Sequence, residues 1–236
     1  MNTTNMMMVI AALGLVACEG ATDSWDAENG ASAERGSKGY VQVVHLSPDA
    51  PAVDVVVGGD RRVLRDVEYL GASPSKKVSP GAYQIDIPVA GGVDPVISAE
   101  LPVEAGLGYT VIAFNELAAI APGVIVNNLD GLERGSIRLQ VIHTAVGVGP
   151  VDVWELDGGV KILDDFDFGF YGSLDLPPGA LNIGLDLDED AVPDVTFSVP
   201  ELGVDTLVNV FAIADDAGVA LYAVYLDGTT ARVDAD

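Results

Sequence analysis

Basic residues are scarce in this sequence of 236 residues: 11 Lys and Arg face 36 Asp and Glu, for a formal net charge of −25. Such a chain repels polyanions, so no nucleic acid partner is expected and binding to anionic lipid headgroups is disfavoured. Cysteine is scarcer still. Cys18 is the only one, which excludes an internal disulfide scaffold. Helix signals are nearly missing as well, because no stretch holds a 3.6-residue period for three turns and 27 glycines and 13 prolines interrupt the runs. Half of the residues are nonetheless hydrophobic (49%), enough for packed cores.

What stands at the N-terminus is an apolar run, Met6 to Val16, too short to span a bilayer as a helix and ending in LVAC (Leu15 to Cys18). The tetrapeptide resembles the bacterial lipobox, which implies a signal peptide over 1–17, cleavage before Cys18, and a diacylglycerol on its thiol. A cleaved signal with an incidental cysteine is the alternative. Residues 18–39 follow as an acidic, Gly/Ala/Ser-rich segment that reads as a flexible tether. The expected location is the bacterial cell envelope, lipid-anchored and facing periplasm or cell surface, with the membrane reached through the lipid alone.

The remainder repeats itself. A shift of 98 residues places VQVVH (Val41 to His45) on LQVIH (Leu139 to His143), VDV (Val53 to Val55) on VDV (Val151 to Val153), and PGA (Pro80 to Ala82) on PGA (Pro178 to Ala180). Fifteen of the 62 positions from 41 to 102 are identical without a slip in register, which implies two copies of one domain. Past 102 the match fades, and LDG at Leu129 and at Leu226 suggests equivalent ends with a one-residue deletion. The expected domains are therefore 40–131 and 132–236. Runs of period two such as YQIDIPV, LNIGLDL and VTFSV, separated by Gly/Pro/Asp turns, predict an all-β chain: two tandem antiparallel, Ig-like β-sandwich domains.

The stretch VVHLSPDAPAVDVVV (Val43 to Val57), followed by YLGAS, VSPGAYQIDI and GLGYTVIAF, resembles the DUF4397 domain of bacteria. That resemblance implies a secreted or surface-attached protein, a β-sandwich often in tandem, and no established activity. The second copy is a diverged repeat: it keeps His143, Pro150 and Asp152 but has Ala145, Val146 and Gly147 in place of Ser47, Pro48 and Asp49.

His45, Ser47 and Asp49 or Asp54 together could suggest a charge relay, but all lie within ten residues, whereas relay groups normally converge from separated parts of a fold. A structural role accounts for each residue type. His45 caps a strand end, bonded to nearby backbone or to Asp49 or Asp54, while Pro48 and Pro51 fix the turn and the Asp49 carboxylate accepts local N–H groups. No catalytic residue is assigned, and the chain is expected to be non-enzymatic, a structural module or one that binds an unidentified protein or glycan. An envelope hydrolase acting on a polysaccharide or peptide polymer is the alternative.

Chemistry is better represented in LDLDEDAVPDVTF (Leu185 to Phe197), where Asp186, Asp188, Asp190 and Asp194 occupy positions 1, 3, 5 and 9 of a loop between two strands. Oxygen ligands at that spacing can wrap one Ca²⁺, and the loop resembles the DxDxDGxxD calcium hairpins, with Ala191 where glycine is usual. Calcium is thus the candidate cofactor, and a solvated acidic tip is the alternative. The first copy offers only Asp94 in the matching segment.

Overall fold

The computed structural model describes residues 6–7, 38–59 and 61–236. The expected signal peptide, Cys18 and almost all of the tether lie outside the described residues. The chain divides into two compact units between Asn128 and Leu129.

In the first unit, strands β2 (Gly39–Leu46), β3 (Val53–Val57), β4 (Arg61–Val67), β5 (Lys76–Val78), β6 (Gly81–Pro88), β7 (Pro95–Val103), β8 (Gly108–Phe114) and β9 (Ala121–Asn127) form two four-stranded sheets. Their orders are β5-β2-β8-β9 and β4-β3-β6-β7. Alternation decides which side chains enter the core. Val41 and Val43 of β2, Val53, Val55 and Val57 of β3, Ile85 and Ile87 of β6, and Tyr109, Val111 and Ala113 of β8 share one buried cluster. Burying each such Val or Ile contributes about 1.5–3 kcal/mol.

The second unit repeats the plan with β10 (Ile137–His143), β11 (Val151–Glu155), β12 (Val160–Phe166), β13 (Phe170–Leu176), β14 (Leu181–Asp186), β15 (Val195–Val199), β16 (Thr206–Asp215) and β17 (Gly218–Tyr225). Here the orders are β13-β10-β16-β17 and β12-β11-β14-β15, with β18 (Thr230–Asp234) added beyond β17 and the short β1 (Met6–Met7) beyond β13. The all-β sandwich expectation holds. Both units add one feature: β2 runs parallel to β8, and β10 to β16. The chain enters β8 and β16 by crossing over from the opposite sheet, not through the tight hairpin that would force an antiparallel pair.

Strand registers correct two expectations about the repeat. Val53 pairs with Val67, whereas Val151 pairs with Phe166, so β3 maps onto β11 at 98 residues but β4 onto β12 at 99. The cause is a longer hairpin turn, 156–159 against 58–60. Register therefore slips inside the segment that the identities had aligned without a gap. Likewise His45 pairs with Ala113 and His143 with Ala212, so the last strands match at 99, by insertion in the second copy and not by deletion.

Candidate functional site

His45 closes β2 and is fully buried. Its Nδ1 accepts the Ser47 N–H at 3.4 Å, so Nε2 carries the proton and donates to the Pro51 carbonyl at 3.3 Å. His143 repeats this at the end of β10, with Nδ1 accepting the Ala145 N–H at 3.3 Å and Nε2 donating to the Gly149 carbonyl at 2.9 Å. Burial holds both imidazoles below their ordinary pKa, outweighing the backbone bonds and, at His143, the Asp167 carboxylate, which favour the charged form. Every partner is a backbone atom. That is why Ala145 can replace Ser47 without loss of the turn, and why the acceptor is Gly149 while Pro150 stands one residue further on.

The other motif residues do not gather round the imidazole. The Ser47 hydroxyl is buried with no hydrogen-bond partner among the described residues, while Pro48 and Pro51 sit in the segment between β2 and β3. Asp49 is exposed, and its carboxylate accepts the Leu117 N–H at 2.7 Å. The expected local bonds of Asp49 are thus replaced by a tie to the short 3-10 turn Leu117–Ala119, because tertiary folding brings that turn within reach.

Asp54 has a larger part than the sequence suggested. It lies on the face of β3 opposite the core valines yet is only 1% exposed. Oδ2 accepts Arg62 Nη1–H and the Gly91 N–H, and Oδ1 accepts the Asp66 N–H at 2.9 Å. Arg62 Nη2 continues to the Gly92 carbonyl at 2.7 Å, so the pair pins the β6–β7 loop onto the sheet. In the second unit Asp152 pairs with Lys161 at 2.5 Å and accepts the Asp165 N–H at 3.0 Å, while Lys161 also reaches Asp164 at 2.7 Å and lies over the Trp154 ring. Burial pushes both aspartates toward protonation, but the backbone N–H groups and the neighbouring cation win and hold them below the usual carboxylate range. Sequence reasoning missed Arg62 and Lys161 because they match only at a shift of 99. The signal was present in Arg-Val-Leu (62–64) against Lys-Ile-Leu (161–163).

The acidic loop joins β14 to β15. Asp186 is fully buried, and its carboxylate accepts N–H groups from Asp188 (3.3 Å), Glu189 (2.8 Å) and Ala191 (2.8 Å). Asp194 Oδ2 accepts the Leu187 N–H at 2.8 Å. Carboxylate oxygens of Asp186, Asp188 and Asp194 converge within 4.8 Å, but Asp190 does not join them and accepts the Val192 N–H instead. Three of the four expected ligands are brought together. Ala191 takes φ 66°, the left-handed conformation that glycine would adopt freely at this position. The loop folds back onto Gly184, where an added Cβ would stand 2.6 Å from Pro193 Cβ.

Fold and site together define a tandem β-sandwich protein whose histidine turns and buried carboxylates tie strands and loops in place. Residues 39–154 match the DUF4397 family, "Domain of unknown function", and the chain belongs to that family through its first sandwich. The match ends in β11, so it also takes in β10 and β11, the counterparts of β2 and β3. No curated protein matches the chain. Among solved structures, "The Bacillus anthracis TIE protein" is similar at 11% identity and a TM-score of 0.25, over 75% of this chain and 34% of that one. A "putative cell adhesion protein" of Bacteroides fragilis is similar at 10% identity and a TM-score of 0.21, over 81% and 85% of the two chains. Likenesses this weak carry nothing about function.

Proposed function

We propose that this chain is a non-catalytic module of the bacterial cell envelope, anchored by lipid on Cys18, whose two sandwiches serve a structural or binding role. The observation that carries the reading is the pair of histidine turns. Both imidazoles spend their two nitrogens on backbone groups, Ser47 is buried, and Asp49 is bonded elsewhere, so the motif is used up in holding the chain. A mechanism-based serine-hydrolase probe tests it. Wild type and Ser47→Ala should both stay unlabelled and fold equally well; labelling of wild type lost in Ser47→Ala would replace this reading with the hydrolase. Membrane retention that disappears in Cys18→Ala is expected for the anchor.

Calcium belongs to the same proposal, held by Asp186, Asp188 and Asp194. Since Ca²⁺ takes six to eight oxygens, water and carbonyls would complete the shell, which implies weak, roughly millimolar binding. Millimolar Ca²⁺ should then raise the melting temperature of the second sandwich, with the rise lost in Asp188→Asn and kept in Asp190→Asn. A melt indifferent to Ca²⁺ leaves the solvated loop as the answer.

A further inference from the structure

In a chain with a net charge of −25, cations gather in one place. The segment 61–78 holds five basic residues against two acidic ones, and it contributes β4 and β5. These are the terminal strands of the two sheets of the first sandwich. Because β7 runs beside β9 at the opposite side, β4 and β5 share one edge. The equivalent edge of the second sandwich, β12 and β13, has the reverse balance: 160–176 carries one basic residue, Lys161, against Asp164, Asp165, Asp167 and Asp175.

Part of this charge is consumed locally. Arg62 serves Asp54, Lys161 serves Asp152 and Asp164, and Arg138 holds Asp175 through paired bonds of 2.7 and 2.8 Å. Among the described residues, Arg65, Lys76 and Lys77 on one edge and Asp165 and Asp167 on the other make no side-chain ion pair. The two edges thus present opposite charge, with Arg65 also favouring the ionised form of Asp54 and with β13 meeting the short β1 at Phe170 and Tyr171.

We infer that the β4–β5 edge of the first sandwich is a docking surface for the β12–β13 edge of the second sandwich of another copy of this chain. The contact is head-to-tail, so it leaves one edge of each kind open at the two ends and can propagate into a row. Charge complementarity favours this occupant. Lys76, Lys77 and Arg65 meet Asp165 and Asp167 at short range, whereas the repulsion between whole chains is screened beyond roughly 8 Å at physiological ionic strength. Association should therefore peak at intermediate salt. At low salt the net charge of −25 keeps copies apart, and at high salt the edge pairs are themselves screened.

Sedimentation of the full chain tests this across roughly 10 mM to 1 M NaCl, where the screening length falls from about 30 to about 3 Å. The mass should rise with protein concentration and pass through a maximum between the extremes. Lys76→Glu with Lys77→Glu, and separately Asp165→Lys with Asp167→Lys, should each return the mass to that of one chain. Mixed, the two reversed chains should associate again, which misfolded variants would not do. Neutral Lys76→Gln with Lys77→Gln should weaken association at least severalfold. A single-chain mass under all conditions, or association indifferent to reversal, overturns the inference. Binding of the β4–β5 edge to anionic vesicles by a chain that stays monomeric would overturn it in favour of a lipid partner.

Discussion

The two sandwiches place a buried aspartate at the same point and partner it differently. Asp54 faces Arg62, whose planar fork donates to the carboxylate with one nitrogen and to the Gly92 carbonyl with another, while the carboxylate itself accepts the Gly91 N–H. The ion pair of the first sandwich therefore also fastens its β6–β7 loop. Asp152 faces Lys161, whose single ammonium is shared with Asp164 and leaves the neighbouring loop alone. In the second sandwich that loop is held by Asp186, which accepts three of its N–H groups. One copy thus makes a single carboxylate do two tasks, and the other divides them between Asp152 and Asp186. Arg and Lys are not interchangeable in such a setting, because the guanidinium spreads its donors over a rigid planar fork whereas those of the ammonium radiate from a single nitrogen.

Removal of the shared carboxylate should give the largest effect. Asp54→Ala is expected to cost the first sandwich about 3 kcal/mol, since it orphans Arg62 and two backbone N–H groups at once. Asp152→Ala should cost less and leave the 187–194 loop protected. Hydrogen exchange read peptide by peptide in the full chain checks both, and equal losses with equal loop opening would erase the distinction. Because the folded-state pKa of each aspartate is depressed, their contribution is present above a pH of about 4 and is lost as acid takes the carboxylates through their folded pKa values.

The histidine turns should behave alike in both copies. His45→Ala and His143→Ala are each expected to cost about 2 kcal/mol through the lost packing and the unpaired backbone groups. Burial lowers both imidazole pKa values, so the unfolded chain binds protons more readily than the folded one. Stability should be full above pH ~6.5 and decline as the pH falls from there toward the folded-state values. Denaturant midpoints between about pH 7 and pH 5 measure this. A decline that persists unchanged after both histidines are replaced would remove them as its cause.

Smaller effects sharpen the loop contrast. Gly184→Ala should cost the second sandwich about 1–3 kcal/mol, because the new methyl group would collide with Pro193, whereas Asp86→Ala at the equivalent place in the first should stay within about 0.5 kcal/mol. Ala191→Gly should be the mildest change. Relief of the left-handed strain outweighs the added freedom of the unfolded chain, for a gain of at most about 1 kcal/mol in thermal unfolding.

Much of this architecture was legible in the sequence. Period-two runs and turn residues specify short strands, and the histidine could be assigned a strand-closing role because both copies retain it although the second has lost the serine. Less legible was the correspondence between copies. Identities at 98 residues hid the one-residue slip that aligns Arg62 with Lys161, since a longer hairpin turn changes register without changing the strands on either side. The acidic loop was half legible: its spacing named four aspartates, and the backbone of the turn sent Asp190 out of the group.

By itself, then, the sequence determined what depends on local chemistry: an all-β chain, its duplication, a strongly acidic composition, and turns closed by His45 and His143. Tertiary structure alone decided what depends on residues far apart in the chain. It set Gly91 and Gly92 against Asp54 and Arg62, and the Leu117 turn against Asp49. It also gathered β4 and β5 on one edge. The physical reason is that alternation and turn chemistry act over a few residues, whereas a buried charge finds its partners only where the packed sheets bring them.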